Sequence, residues 1–258
     1  MIDTHSHIDL AVFGDDFQEV LGRARQAGVV AQILPGVIRA GWQRILQLSA
    51  AEEDLFPAIG LHPMYLPHHG KNDLLELRRQ ALAGNLVAIG EIGLDYFVRD
   101  VGRLAQQQLF EAQLGIAAEA ALPVLLHVRK AHDQVQSTIR RLNFTGGGIV
   151  HAFSGSLQQA EKYVQLGFLI SVCGTLTYDR ATRIRAVAAA LPLGALVMET
   201  DSPDIPPSAH HGLRNSPEYL PEIASSLAAL RDISVDRIVA QTSGNVYSLF
   251  PHLHKKEK

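Results

Sequence analysis

Short apolar runs alternate with longer segments of helical periodicity from one end of the chain to the other. Eight runs rich in β-branched or other apolar residues occupy positions 2–10, 29–34, 55–61, 87–92, 123–128, 148–153, 168–175 and 196–200. Segments with helical spacing include 73–83, 103–121, 131–142, 157–166, 218–231 and 235–249. Strand-like runs that alternate with helical segments predict parallel strands joined by crossover helices.

The number of strand–helix units points to a closed barrel. Eight units close a (β/α)8 barrel, a fold of about 250 residues, and this chain has 258 residues. An open doubly wound sheet is the alternative, but no glycine-rich phosphate-binding motif follows the first run. We therefore expect an α/β protein with one (β/α)8 TIM-type barrel domain over residues 1–251, followed by a polar tail at residues 252–258.

Composition and charge exclude several classes of protein. Hydrophobic residues make up 47% and charged residues 19%, which excludes a generally disordered chain. The formal net charge is −3, so any contact with nucleic acid has to be local or metal-mediated. The single cysteine, Cys173, excludes an internal disulfide and a cysteine-based zinc site. With no signal-peptide pattern and no apolar segment of membrane-spanning length, we expect a cytoplasmic protein without a membrane partner.

Polar residues of very few types follow the predicted strands. Active sites of (β/α)8 barrels lie at the carboxyl ends of the strands, so these positions are the candidates for chemistry. They are almost all histidines or carboxylates: His5, His7, His62, Glu91, Asp95, His127, Arg129, His151, Glu199 and Asp201.

The histidine spacing suggests metal binding. His5 and His7 are two residues apart, which in a strand places both imidazoles on one face. A packed or solvated pair is the alternative for these two residues alone, but His127 and His151 at further strand ends strengthen the metal hypothesis. Together with Glu91 and Asp201 they are enough for a two-metal site with a bridging carboxylate.

Other roles remain open for several of these residues. Glu91 is also compatible with a surface carboxylate and Asp201 with a helix cap. His62 precedes Pro63 and fits a turn residue equally well. Arg129 suits either a surface salt bridge or a clamp for a phosphate or carboxylate. Of the remaining histidines, His132 is expected to be exposed at the start of a helix, while Cys173 is expected to pack as a small hydrophobic residue.

These motifs resemble the TatD-type metal-dependent deoxyribonucleases, a family of amidohydrolase-like (β/α)8 barrels. The matching segments are Ile2-Asp3-Thr4-His5-Ser6-His7, Gly60-Leu61-His62-Pro63, Gly90-Glu91-Ile92-Gly93-Leu94-Asp95, His127-Val128-Arg129, His151-Ala152-Phe153-Ser154-Gly155, Glu199-Thr200-Asp201-Ser202-Pro203 and Arg214-Asn215-Ser216-Pro217. They follow the family's order from Ile2 to Pro217, and residues 151–168 look most like the YjjV branch.

The resemblance implies a ligand set. His5, His7, Glu91 and Asp201 would hold one metal ion, and Glu91, His127 and His151 would hold a second, with Glu91 bridging. Related amidohydrolases use a carbamylated lysine as the bridge, but no lysine ends the fourth predicted strand here. The donor atoms suit Zn, Mn, Co or Ni, while carboxylate and water also tolerate Mg.

The expected activity is hydrolysis of phosphodiester bonds, with DNA as the substrate. Asp201 would orient the attacking water and accept its proton, with Glu91 as the second catalytic carboxylate, while Arg129, His62 and Asp95 are assigned to substrate binding. A 3′→5′ exonuclease preference is implied only by the resemblance. Two alternatives stay open: a two-metal hydrolase of a small phosphoester, lactone or amide, and a binding protein with a vestigial site. The oligomeric state is not predicted.

Overall fold

The computed structural model describes residues 1–253, except for the side chain of His252. Eight parallel strands lie in chain order, each hydrogen-bonded to the next. They are β1 Ile2–Asp3, β2 Ala31–Pro35, β3 Leu55–Ile59, β4 Ala88–Asp95, β5 Val124–Arg129, β6 Gly148–Val150, β7 Phe168–Val172 and β8 Leu196–Met198. The amide of Thr4 donates to the carbonyl oxygen of Met198 at 3.2 Å, so the first and last strands meet and nearly close the barrel. The predicted (β/α)8 barrel is confirmed.

Helices occupy the connections between the strands and the segment after β8. They are α1 Phe17–Gln26, α2 Arg39–Ala51, α3 Asp73–Leu82, α4 Arg103–Glu119, α5 His132–Arg141, α6 Leu157–Gln165, α7 Thr182–Ala190, α8 Leu220–Arg231 and α9 Val235–Leu249. None of these helices is long and apolar enough to cross a membrane. Most of the predicted tail, residues 254–258, lies outside the described residues.

The predicted segments match these elements closely except at the amino terminus. The first apolar run covered residues 2–10, yet β1 ends at Asp3. Beyond Asp3 the regular ladder with β2 ends: the Ser6 amide still donates to the carbonyl oxygen of Ile33 at 3.1 Å, but the His7 amide donates to that of Ser202 at 2.8 Å. His5 and His7 therefore lie on a connecting segment, and their convergence does not come from strand alternation.

Apolar side chains pack on both faces of the barrel strands. The strand residues that point inward form a cluster of mostly small or β-branched side chains with three residues from the end of the chain: Ile2, Ala31, Ile33, Ala58, Ala88, Leu125, Ile149, Val197, Val246, Phe250 and Leu253. The outward-facing residues pack against the helices in a larger cluster. Because side chains alternate along a strand, Leu125 and Ile149 lie on the same face as His127 and His151. The inner apolar layer therefore forms the floor of the barrel mouth.

Candidate metal centre

The six predicted metal ligands converge at the mouth of the barrel. His5 and His7 follow β1, Glu91 lies within β4, His127 lies within β5, His151 follows β6 and Asp201 follows β8. His127 is partly exposed and the other five residues are buried. Side chains from five strand ends thus meet in one place, as the sequence predicted.

A break in strand register aims Glu91 into the barrel. Ile89 of β4 pairs with Val124 of β5, and Ile92 pairs with Leu126, so three steps on β4 match two on β5. Such a bulge redirects a side chain. Ile89 and Ile92 both pack in the outer core although they are three residues apart, and Glu91 between them turns inward.

The two carboxylate oxygens of Glu91 face two different groups of imidazoles. Oε2 lies 3.3 Å from His5 Nε2 and 3.8 Å from His7 Nε2. Oε1 lies 3.0 Å from His127 Nδ1 and 2.8 Å from His151 Nε2. Within each group the ring nitrogens also face each other, at 3.2 Å for His5 and His7 and at 3.3 Å for His127 and His151. The carboxylate stands between two sets of nitrogen donors.

Asp201 completes the group around His5 and His7. Its Oδ1 lies 3.7 Å from His5 Nε2 and 3.8 Å from His7 Nε2. No helix begins within the five residues that follow Asp201, so the helix-cap alternative does not apply. Burial, together with the nearby carboxylates of Glu199 and Glu91, raises the pKa of Asp201 well above its usual value.

His127 and His151 each have a second carboxylate behind the ring. His127 Nε2 lies 3.0 Å from Asp95 Oδ2, and His151 Nδ1 lies 3.6 Å from Glu199 Oε1. Burial lowers the pKa of both imidazoles, but the carboxylates outweigh it and the net pKa of each is raised. A carboxylate behind a histidine fixes the ring and increases its basicity, the usual support for a metal-ligating imidazole.

The donor set and its electrostatics fit divalent cations. Burial lowers the pKa of His5, and it lowers that of His7 to about 3, so these rings are neutral and have lone pairs for a metal. Glu91, Glu199 and Asp201 are all buried, and three buried carboxylates in one cluster repel one another. A divalent cation between the imidazoles and carboxylates would relieve this repulsion and use ligand types that transition metals prefer.

The ring nitrogen of His62 that faces the centre carries a proton. Its Nδ1 accepts the amide N–H of Met64 at 3.1 Å, because His62 caps the short 3-10 helix Pro63–His68. A neutral ring with an accepting Nδ1 carries its proton on Nε2, and this nitrogen lies 3.2 Å from Glu91 Oε1. His62 therefore presents a hydrogen-bond donor to the centre rather than a free lone pair.

The other two predicted substrate-binding residues lie in different surroundings. Asp95 is fully buried, and its oxygens accept from His127 and from the amides of Phe97 and Val98. Arg129 is exposed at the rim, with its guanidinium carbon 3.7 Å from the centre of the Phe97 ring. Arg129 forms no ion pair among the described residues, which leaves its charge available.

The sequence prediction gave no role to two buried carboxylates, although Glu199 was among the strand-end candidates. Glu199 accepts the Ala152 amide at 2.6 Å and stands behind His151. Asp3 accepts the His5 amide at 3.2 Å and the Thr200 amide at 2.9 Å, and burial raises its pKa to about 7. Each directly follows apolar residues in the sequence, and this is the pattern that made Glu91 a candidate.

The prediction for His132 was wrong, and that for Cys173 is confirmed. His132 opens α5 as expected, but its side chain is buried against Phe153 and Tyr163. Those two aromatic residues come from the segment after β6 and from α6, and nothing near His132 in the sequence indicates them. Cys173 is buried and unbridged.

Comparisons with known proteins agree with the fold and show the family. The family model described as TatD related DNase matches residues 2–251. The uncharacterised metal-dependent hydrolase YjjV of Escherichia coli K12 is 43% identical over 252 residues, which cover 96% of this chain and 97% of that protein. Its crystal structure superposes with a TM-score of 0.92 over 97% of this chain and 98% of that chain, at 42% identity.

A more distant relative is named for its activity. The protein of Klebsiella pneumoniae named 3′-5′ ssDNA/RNA exonuclease TatD is 32% identical over 264 residues, with 97% of each chain covered. Both the family model and these relatives span essentially the whole barrel. The chain belongs to the TatD family of metal-dependent hydrolases.

Proposed function

We propose that this protein hydrolyses phosphodiester bonds in nucleic acid, with single-stranded DNA as its preferred substrate, at a centre of two divalent metal ions. The observation that carries the proposal is the position of Glu91, whose two oxygens face two separate pairs of imidazoles. The Klebsiella relative named as a single-stranded DNA and RNA exonuclease supports the substrate class. Domain bounds of 1–251 and a cytoplasmic location are part of the same proposal.

The ligands divide between the two ions by geometry. His5, His7, Asp201 and Glu91 Oε2 would hold one ion, while His127, His151 and Glu91 Oε1 would hold the other. Bound divalent ions lower the pKa of water toward neutrality and stabilise the developing charge on phosphoryl oxygens. Zn, Mn, Co, Ni and Mg remain candidates for the ions.

The protein's own side chains supply the proton chemistry and the orientation. Asp201 accepts the proton of the attacking water, since its carboxylate lies beside the imidazoles of His5 and His7. The Nε2–H of His62 donates to a phosphoryl oxygen. Asp95 and Glu199 act as positioning residues behind His127 and His151, a role for Asp95 that replaces the predicted substrate contact. Arg129 at the rim contacts substrate phosphate.

A small phosphoester, lactone or amide is the second candidate substrate class. The observation in its favour is the net charge of −3, which gives no extended basic surface for a long strand. Both candidates require the same metal centre, so the choice between them depends on which substrate class the protein hydrolyses faster.

A substrate panel tests the proposal. The metal-loaded protein should hydrolyse single-stranded DNA, and a chelator should abolish the activity. Asp201→Asn serves as the matched control: Asn tolerates the left-handed backbone at this position, where φ is 57°, and still offers an oxygen to metal. We expect it to keep its metal and its Tm but to lose about 100-fold or more in kcat. Faster turnover of uncharged esters than of DNA would favour the small-molecule candidate, and hydrolysis of neither would contradict the proposal.

A further inference from the structure

A cleft of about 620 Å³ opens at the barrel mouth beside the metal centre, on the side of β4, β5 and β6. Its lining comes from the end of β5, from the connections after these strands and from the first turns of α5, α6 and α7, and it includes Arg129, Lys130, His132, Asp133, Gly155 and Arg183. None of the metal ligands lines it. The cleft is therefore a neighbouring site, and Arg129 is the one lining residue to which the proposed chemistry gives a role.

The charge in this cleft is opposite to that of the whole chain. Three cationic side chains line it, Arg129, Lys130 and Arg183, against the single carboxylate of Asp133. None of the three cations forms an ion pair among the described residues, and one oxygen of Asp133 already accepts from the side chain of Gln159 at 3.2 Å. A local excess of positive charge on an acidic protein suits an anionic ligand.

The first turn of α5 adds backbone donors to the same cleft. The first four N–H groups of a helix have no intrahelical partner, and residues 131–134 all line the cleft. The N-cap residue, Ala131, has no side chain that could accept from them. A helix of ten residues with a free amino end attracts phosphate through these N–H groups and through its dipole.

His132 provides the independent observation that the cleft is built for a ligand. Its side chain is 7% exposed, yet neither ring nitrogen has a hydrogen-bond partner among the described residues. Such a buried polar group is costly unless something satisfies it. A Cβ at Gly155 would lie 3.1 Å from Cδ2 of His132, the ring carbon bonded to Nε2. Gly155, which also lines the cleft, therefore leaves the space beside this ring carbon free of a side chain.

We infer that this cleft binds a second phosphate of a nucleic-acid strand, adjacent to the phosphodiester being hydrolysed. Arg129, Lys130 and Arg183 supply charge, the α5 N-terminus supplies backbone N–H groups, and His132 supplies a neutral ring donor. Arg129 lies two residues beyond His127 on β5, a separation of about 7 Å that one nucleotide can bridge. This inference rests on the proposed phosphodiesterase function and specifies its substrate as an oligonucleotide rather than a small ester.

Two substrates separate the cleft from the metal centre. A thymidine dinucleotide has one phosphodiester, whereas a thymidine trinucleotide keeps an additional phosphate next to whichever bond is cleaved. The measured quantity is the ratio of kcat/KM for the trinucleotide to that for the dinucleotide. In parallel, fluorescence anisotropy with a labelled trinucleotide in EDTA gives a Kd that does not depend on turnover.

The decisive variants change the cleft and leave the metal ligands intact. In Arg183→Ala we expect the kcat/KM ratio to fall about 10-fold and the trinucleotide Kd to rise about 10-fold, the usual effect of losing a charged hydrogen bond. Arg140→Ala is the matched control, because Arg140 lies exposed at the opposite end of α5. It should keep the wild-type ratio and Kd.

His132→Phe tests the ring nitrogens alone. Phenylalanine keeps the packing against Phe153 and Tyr163 and removes two unsatisfied polar atoms, so its Tm should equal or exceed that of the wild type. The trinucleotide Kd should nevertheless rise. An unchanged kcat/KM ratio and Kd in both Arg183→Ala and His132→Phe would overturn the inference even if the wild type cleaves DNA. If the wild type cleaves neither substrate, the proposed function fails, and the Kd values still decide whether the cleft binds phosphate.

Discussion

At the scale of single residues, one carboxylate organises the centre. Glu91 is 3% exposed and contacts imidazoles through both oxygens. Burial alone would raise the pKa of Glu91, but the charge of His151 and the hydrogen bond with His127 outweigh burial and hold this pKa well below its usual value, so the carboxylate is ionised and able to bridge. Left-handed backbone at Lys130, Ala152 and Asp201 follows three strands at the same mouth. Each costs about 1–2 kcal/mol in a non-glycine residue, and such strain typically collects at functional sites.

The bridging role predicts different outcomes for two alanine variants. Glu91→Ala removes a ligand from both groups, whereas His127→Ala removes one from a single group. We expect metal analysis to return close to two equivalents for the wild type, about one for His127→Ala and well under one for Glu91→Ala. Affinity should fall at least about 10-fold at each depleted site, since even losses behind the ligands cost that much. Equal metal contents in the two variants would contradict the bridge.

At the scale of elements, α4 holds two strand ends through buried glutamines. The side chain of Gln106 accepts the Asp95 amide at 2.8 Å and donates to the Asp95 carbonyl at 2.9 Å. Gln113, seven residues later on the same helix face, makes the same pair of bonds to Leu61. Asp95 stands behind His127, and Leu61 precedes His62. The helix therefore replaces missing strand partners at the residue that supports the His127 ring and at the residue that precedes His62.

A leucine in place of Gln106 should reveal this support. Gln106→Leu leaves the buried N–H and C=O of Asp95 without partners, and each unsatisfied group costs about 1–3 kcal/mol. We expect the free energy of unfolding to fall by about 2–5 kcal/mol in denaturant titrations. Gln108→Leu, an exposed position on the same helix, is the control and should change stability by no more than about 0.5 kcal/mol. Similar losses of unfolding free energy in the two variants would show that the hydrogen bonds to Asp95 do not stabilise the fold.

At the scale of the whole molecule, the site lies where the barrel closes. Asp3 at the end of β1 accepts from Thr200 after β8, and the Asp201 amide donates to the His5 carbonyl at 2.9 Å. The residues proposed as ligands of one ion join these two ends to β4, and those proposed for a second ion join β4 to β5 and β6. Metal bound in this way would cross-link strand ends around the barrel mouth, and its binding free energy would add to the stability of the fold.

Removal of metal should lower the melting temperature measurably. At a metal concentration 100 times Kd, one site contributes about 2.7 kcal/mol, and each kcal/mol shifts Tm by about 2–4 °C in a domain of this size. We expect a chelator to lower Tm by about 5–10 °C in scanning calorimetry. In Glu91→Ala the same addition should have almost no effect. An identical Tm of the wild type with metal and with chelator would count against a site built into the closure.

The sequence determined the eight-unit barrel and the six candidate ligands. Strand and helix periodicities are local properties, and the residue types that end each strand can be read without knowing their partners. The same information did not separate metal ligands from supporting carboxylates. Asp95 and Glu199 differ from Glu91 only in what lies beside them, and those neighbours come from other strands.

Only the tertiary structure decided orientation and burial. The register shift in β4 depends on its pairing with β5, so alternation along β4 alone gives no account of why Glu91 points inward between Ile89 and Ile92. His132 is followed by polar residues in the sequence, and its burial comes from Phe153 and Tyr163, which pack on it from the segment after β6 and from α6. Contacts between residues far apart in the chain set these features, because packing and hydrogen bonding act through space while periodicity acts along the sequence.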